Sequence, residues 1–474
     1  MTIGRLPSGN RWGRVLRGLA LHRPELRAWA LYDWANSGMV TVIIATVFPI
    51  YFYRVAGADL AQGAATQWYA IATTVGLALM ALLAPVLGAV ADYAGVKKKM
   101  LATFLGIGVS ATACMVFVHR GDWLLALTLF VFAEIGVSGS FVFYDSLLPH
   151  VARSGEVDRL SSTGYALGYL GGGLLLAVNL AWIQWPASFG LPTGEGLTDA
   201  QATLPQRLAF LSVAVWWVVF SIPLFRNVRE PARQLEPDEQ LGTNPLRVAG
   251  QRLRETLREL RGYRQAFLLL MAFLFYSDGI STIYRMAAIY GTEIGIEQHW
   301  LMASILLVQF VGIPFAILFG LMAGKIGAKP AVFVGLAAYL GIAVLGYFMR
   351  TAVDFLLLAI LVGVVQGGTQ ALSRSLFASL TPKHKSAEFF SLFALGEKVA
   401  GVFGPAVFAA ASLVAGSSRY AIISVMVFFL LGGALLYFVD VAEGQRAAQA
   451  ADASTRVASS DPGEPKGLAE TLAP

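Results

Sequence analysis

Twelve stretches of mostly apolar residues, each of about 20 or more, follow one another along this chain of 474 residues. An α-helix of that length crosses a hydrocarbon core about 30 Å thick. The expected spans are approximately 27–54, 65–91, 98–119, 123–144, 161–184, 204–226, 265–290, 299–323, 330–349, 353–378, 387–413 and 419–440. They use roughly 240 residues at minimum, and the remainder suffices for helix ends, short loops, one linker and two tails. The chain is 57% hydrophobic and 14% charged. An average soluble domain has about 45–50% and roughly 25%, so an ordinary soluble enzyme is excluded.

The formal net charge of +6 could suggest nucleic acid, but the placement of the charges marks membrane sidedness instead, and no nucleic-acid partner is expected. Arg5, Arg11, Arg14, Arg17 and Arg23 precede the first span without a cleavable signal. Lys97, Lys98, Lys99 and a run from Arg226 to Arg264 lie on the same side. The opposite loops and span edges hold only Arg54, Arg120, Arg207, Arg350 and Arg419. Cationic loops resist translocation, so both termini and the linker are expected in the cytoplasm. The organisation read from this is a tail 1–26, a six-helix bundle 27–226, a cytoplasmic linker 227–264, a second six-helix bundle 265–441 and a tail 442–474. Leu253, Leu257 and Leu260 among charged neighbours predict an amphipathic helix in the linker. The last segment, rich in Ala, Ser, Gly, Glu and Pro, reads as disordered. The single cysteine, Cys114, excludes an intrachain disulfide. The five histidines are scattered without ligand spacing, so no metal, no cofactor and no catalytic set is expected.

The linker divides six spans from six, and the halves repeat. Gly88-Ala-Val-Ala-Asp92-Tyr-Ala-Gly95-Val-Lys97 is matched by Gly320-Leu-Met-Ala-Gly324-Lys-Ile-Gly327-Ala-Lys329, and Asp122-Trp123-Leu124-Leu125 by Asp354-Phe355-Leu356-Leu357. Tyr144 to Pro149 is matched in the same way by Phe377 to Pro382. Three matches in order at nearly one offset indicate duplication. Paired six-span halves are the layout of secondary transporters.

The residues also carry a resemblance. Gly88-x-x-x-Asp92-x-x-Gly95-x-Lys97-Lys98 resembles the signature loop of the major facilitator superfamily. Trp29-Ala-Leu-Tyr-Asp-Trp-Ala-Asn-Ser37, Gly168-Tyr-Leu-Gly-Gly172, Tyr276-Ser-Asp-Gly279, Gly367-Gly-Thr-Gln-Ala-Leu-Ser-Arg-Ser375 and Glu388-Phe-Phe390 resemble motifs of the vacuole-effluxer family. Its eukaryotic members are autophagy-related vacuolar amino-acid exporters. The resemblance implies an all-α membrane protein, the major facilitator fold of twelve transmembrane helices in two pseudo-symmetric bundles, with spans one, four, seven and ten lining a central cavity.

Charges inside a membrane are costly and mark function by default. Asp33 and Asn36 lie on the first span, Glu134 and Asp145 on the fourth or at its end, Asp278, Thr282 and Arg285 on the seventh, and Gln366, Gln370 and Arg374 on the tenth. Spacings of three and four residues place each set on one helix face. Apart from Asp145, these are the substrate-cavity candidates. Asp33 or Asp278 with Arg374 could hold a zwitterion, arginine taking the carboxylate through two parallel hydrogen bonds. Asp33, Glu134 and Asp278 are the candidates for proton coupling. Lys398 beside Glu397 reads either as a buried ion pair with a neighbouring helix or as a cavity charge.

Gly88, Asp92, Gly95, Lys97, Lys98 and Asp145 form a cytoplasmic gate in what the resemblance implies, with the acid facing a helix N-terminus and the basic residues pairing with the fourth span. In the second half Gly324 replaces the expected acid, so unequal halves are expected. Gly164, Gly168 and Gly172 repeat at every fourth residue, as close helix packing requires. The expected function is secondary active or facilitative transport of a small polar solute, amino acids among the candidates, by alternating access. The alternative is a transporter-like receptor without net flux. A monomeric, multi-pass protein of the plasma membrane, if the cell is bacterial, completes the expectation.

Overall fold

The computed structural model describes residues 11–60, 64–153, 155–232, 263–293, 296, 298–396, 407 and 422–460. It is all-helical among these. Ten of the helices are long and apolar enough to cross a membrane: α1 Pro24–Ala56, α2 Ala64–Ala94, α3 Lys97–Phe117, α4 Trp123–Val151, α5 Val157–Gln184, α6 Leu204–Asn227, α7 Arg264–Glu293, α8 Gln298–Ile326, α9 Ala328–Phe348 and α10 Ala352–Leu380. Helix α11 starts at 386 and is described to 396, so most of the expected span 387–413 lies outside the described residues. A bent pair, α12 Ile422–Tyr437 and α13 Val441–Ser460, follows. The expected linker helix falls between 233 and 262, also outside them.

The connections α2–α3, α4–α5, α8–α9 and α10–α11 share one side of the bundle, here the basic face. Their geometry follows from local chemistry. Gly95 at φ +64° ends α2, and its repeat partner Gly327 at φ +90° ends α8. Only glycine takes such angles without strain, which lets both helices turn at once into the next. The repeat-related acids also act alike. The Asp122 carboxylate accepts the His119 N–H at 2.8 Å just before α4, and Asp354 accepts the Thr351 N–H at 2.9 Å in a capping box at the start of α10.

Within the first bundle α1 packs on α5 and α6, and α3 on α4; within the second α8 packs on α10 and α7 on α12. Between bundles α5 touches both α8 and α10. The glycine stripe of α5 lies along α1: a Cβ at Gly164, Gly168 or Gly172 would strike Asp33, Ser37 or Thr41. Two further glycines let α3 and α4 cross at backbone contact, since a Cβ on Gly136 would overlap Gly108. Within α1 the backbone widens to π-helical bonding over Met39–Val47, where Thr46 Oγ1 donates to the Thr41 carbonyl at 2.7 Å.

The structure departs from the disorder expected over 442–474. Val441–Ser460 is helical, and only 461–474 lies outside the described residues. Alanine-rich sequence has high helix propensity. The helix is also capped, the Asp440 carboxylate accepting the Glu443 N–H at 2.9 Å, and docked, with Ala448 buried. Low hydrophobicity hid both.

Overpacking a closely fitted site costs about 1–3 kcal/mol or more. Gly136→Leu is therefore expected to lower the melting temperature of the purified protein, followed by tryptophan fluorescence, while Gly106→Leu, with open space around its Cα, leaves it nearly unchanged.

Candidate functional site

Arg374 of α10 sits near the basic face with its side chain only 3% exposed. An ion removed from water costs several kcal/mol unless it is paired and hydrogen-bonded. Here every side of the guanidinium is occupied. Nη1 donates to Asp145 Oδ1 at 3.0 Å and Nη2 to Asp33 Oδ2 at 3.1 Å. Nε donates to Ser161 Oγ at 2.9 Å, and Nη2 also to the Ser161 carbonyl at 3.1 Å. The rings of Tyr165, Trp29 and Tyr144 lie 4.5, 4.9 and 5.7 Å from its central carbon. Trp29 and Tyr144 are stacked on each other, and Trp29 Nε1 donates to the Tyr144 carbonyl. All these partners belong to the first bundle, on α1, α4 and α5, while Arg374 belongs to the second. Gly164 leaves the room that the Asp33 carboxylate fills.

Above this node lies a cavity of about 820 Å³ between the bundles. Asp33, Asn36, Glu134, Thr282, Gln366, Gln370 and Arg374 all line it, with Asp145 at its floor. Its wall continues to Tyr69, Met349 and Phe355 at the far-face helix ends. Glu134 accepts a hydrogen bond from Ser138 at 3.3 Å, and a Cβ on Gly76 would touch its side chain. The π-helical stretch of α1 contributes Val40, Thr41, Ile44 and Ala45 to the same wall.

The seventh helix borders the cavity over a wider arc than the stripe of Asp278, Thr282 and Arg285. It turns Ser277, Ser281, Thr282 and Tyr284 to the cavity, whereas Asp278 is buried at 1% exposure and is not a lining residue. One turn of helix separates Asp278 from Thr282, which reaches back to the Asp278 carbonyl at 2.7 Å. The side chains of Arg285, Glu397 and Lys398 lie outside the described residues.

The gate candidates separate into two groups. Asp92 forms an ion pair with Lys97 at 2.7 Å and accepts the backbone N–H of Glu388 at 2.9 Å, in the first turn of α11. A carboxylate there meets unpaired N–H groups and the positive end of the helix. Gly88 allows this approach, since a Cβ would stand 2.6 Å from the Ala387 carbonyl oxygen. Lys97 Nζ also donates to Ser386 Oγ at 2.7 Å and stands 3.0 Å from His150 Nε2 at the end of α4. Lys98 reaches the end of α6, donating to the carbonyls of Phe225 and Val228, while its N–H binds Glu230. Asp145, grouped with these lysines on sequence, is instead an Arg374 partner.

The second half repeats the backbone of this latch without its charges. Gly320 lies against Ser162 at the start of α5, as Gly88 lies against α11. At Gly324 the nearest side chain is that of Arg159, and Lys329 turns away to the Tyr437 and Val439 carbonyls at 2.8 and 2.7 Å. Sequence reading missed Ser161, Tyr165, His150 and Ser386. Ser161, Tyr165 and Ser386 carry no charge, and His150 gains meaning only beside Lys97. The repeat at Tyr144 to Pro149 marked the neighbourhood of His150 but no role.

Residues 61–449 match the family model described as vacuole effluxer Atg22 like. The MFS-type transporter YxiO of Bacillus subtilis is 35% identical over 415 residues, 87% of this chain and 94% of that protein. Autophagy-related protein 22 of Yarrowia lipolytica is 28% identical over 324 residues, 63% of this chain and 53% of the relative. Among solved structures, the proton:xylose symporter XylE of the major facilitator superfamily superposes with a TM-score of 0.65 at 14% identity, covering 90% of this chain and 98% of that one. The fucose:proton symporter FucP gives 0.64 at 12% identity, covering 88% and 98%. At such identities the likeness carries the fold alone.

Removing one member of a buried ion cluster leaves the others uncompensated, at about 3–5 kcal/mol. Arg374→Ala is expected to lower the melting temperature markedly. Adding Asp33→Asn and Asp145→Asn to it should restore much of the loss, because no buried charge then lacks a partner.

Proposed function

The chain belongs to the Atg22-like vacuole-effluxer family of major facilitator transporters, and on that premise we propose that it carries small amino acids across the membrane by alternating access. The basic face is the cytoplasmic one in this reading, as the positive-inside rule requires, and in a bacterial cell the membrane is the plasma membrane. One chain encloses its own cavity, so a monomer suffices.

The observation that carries this reading is the position of Arg374 at the floor of a polar cavity, paired with carboxylates of the opposite bundle. A zwitterionic solute arriving from the far face brings a carboxylate that can replace Asp33 or Asp145 on the guanidinium. Its ammonium group then takes the carboxylate so released. No buried charge is left alone during the exchange, and the contact between bundles is loosened by the substrate itself. A ligand shifts a conformational equilibrium only by binding one state better than the other, and this exchange supplies that difference.

Proton coupling falls to Asp33 and Glu134, the two candidates that line the cavity. Protonation of Asp33 would weaken its hold on Arg374 and assist the same loosening. Asp278 is buried away from that lining.

Two measurements test this. Uptake of radiolabelled amino acids into proteoliposomes is expected to fall to background in Arg374→Ala; flux unchanged in that variant would overturn the substrate assignment. An imposed pH gradient is expected to drive accumulation in the wild type and not in Glu134→Gln, and transport indifferent to the gradient would remove the proton from the mechanism.

A further inference from the structure

The segment 383–388, which joins α10 to α11, is held from two sides. On one side are the first-bundle groups of the latch: Asp92 on the Glu388 N–H, Lys97 and His150 on Ser386 Oγ at 2.7 and 3.1 Å. On the other side is α13. Asp452 accepts the Lys383 N–H at 2.8 Å and pairs with His384 Nδ1 at 3.0 Å, with the His384 side chain only 4% exposed. Only Lys385 separates His384 from Ser386, so the grip of α13 and the grip of the first bundle fall on one short stretch of backbone.

The helix that supplies Asp452 is itself fixed to the second bundle. Its axis turns 63° from that of α12, and Lys329 binds the carbonyls of Tyr437 and Val439 at the turn. Gln265 of α7 accepts the Asp440 N–H at 2.8 Å and donates to Glu443 at 2.6 Å. Gly444 lies so close to Leu380, the last residue of α10, that a Cβ would stand 2.6 Å from its Cδ2. The α13 helix therefore connects the end of α12, the start of α7, the end of α10 and the start of α11 at the basic face.

We propose that α13 is a built-in brace of the basic-face latch, which holds the 383–388 segment where Asp92 and Lys97 can bind it and thereby favours the conformation closed at that face. The chemistry is positional. A helix N-terminus attracts a carboxylate only within its first turn, so a displacement of 383–388 by a residue's width removes the site that Asp92 occupies. Asp452 prevents that displacement from the side opposite the first bundle. The closed latch is thus a three-part contact, and α13 sets its strength from outside the cavity. This rests on the alternating-access reading above, because a brace matters only if the face opens.

The test measures conformation rather than flux. Spin labels at Arg153→Cys and Lys325→Cys, exposed at the basic face on different bundles, report its opening by electron–electron double resonance in a Cys114→Ser background. In the otherwise unchanged protein the short distance should dominate. Asp452→Ala, and a chain ended after Asp440, are each expected to raise the long-distance population roughly three- to tenfold, the weight of one lost hydrogen bond. Asp452→Asn, which keeps an acceptor oxygen, should change it less. Gly444→Leu, which wedges α13 away from α10, should act as Asp452→Ala does and replaces the shortened chain if that fails to fold. Gly88→Leu serves as the control that breaks the latch itself. Opening in the control with none in Asp452→Ala or Gly444→Leu overturns the brace alone. No opening in any variant overturns both the brace and the alternating-access reading.

Discussion

A guanidinium placed deep between two helical bundles has to find its counter-charges in protein, and Arg374 finds both of them on the opposite bundle. The pairing with Asp33 and Asp145, the two bonds to Ser161 and the three surrounding rings fix how α10 sits against α1, α4 and α5. Much else in the structure serves that contact. The glycine stripe of α5 brings α1 close enough for Asp33 to reach, and Trp29 and Tyr144, stacked on each other, form one wall of the box. Two carboxylates of the first bundle thus share one guanidinium of the second.

Duplication shaped the backbone more strictly than it shaped the charges. Gly95 and Gly327 make equivalent turns, Asp122 and Asp354 help start equivalent helices, and Gly88 and Gly320 permit equivalent close approaches between bundles. The acid and lysine that complete the latch in the first half have no such counterparts in the second. Gly324 has no side chain to offer α5, and Lys329 serves the turn between α12 and α13. Symmetric scaffolding therefore carries one-sided electrostatics: the two close approaches at the basic face differ in the charges that support them.

How much of this was legible in sequence differs by level. The spans that fall within the described residues were, because a helix in lipid needs a long apolar run and little else competes with that signal. The repeat was, because turns and close contacts restrict residue type at fixed spacing. Asp33, Asp145 and Arg374 stood out individually as charges in apolar segments, yet their pairing was not visible: Asp33 and Arg374 are 341 positions apart, and only tertiary packing decides which charges meet. On α7 the spacing that puts Asp278 and Thr282 on one helix side did not separate them, whereas only Thr282 borders the cavity. Ser161 and Tyr165 carry no charge and so gave no warning of their role. The helix after Val441 was hidden by a composition that suits disorder and solvent-exposed helices alike, and the deciding contacts, from Gln265 and His384, lie far off in the chain.

The latch around Lys97 also has a property that follows from hydration. Lys97 and Asp92 are almost wholly shielded from solvent, so they have given up the water that would surround them on an open face. A buried ion pair gains strength from its low-dielectric surroundings, but much of that gain is offset by lost hydration. Separating these contacts would return water to each of these groups. The net free energy of such a shielded pair is therefore far smaller than its contacts suggest. Salt in the surrounding solution has little influence on a pair so shielded, whereas its strength is tied to its exclusion from water.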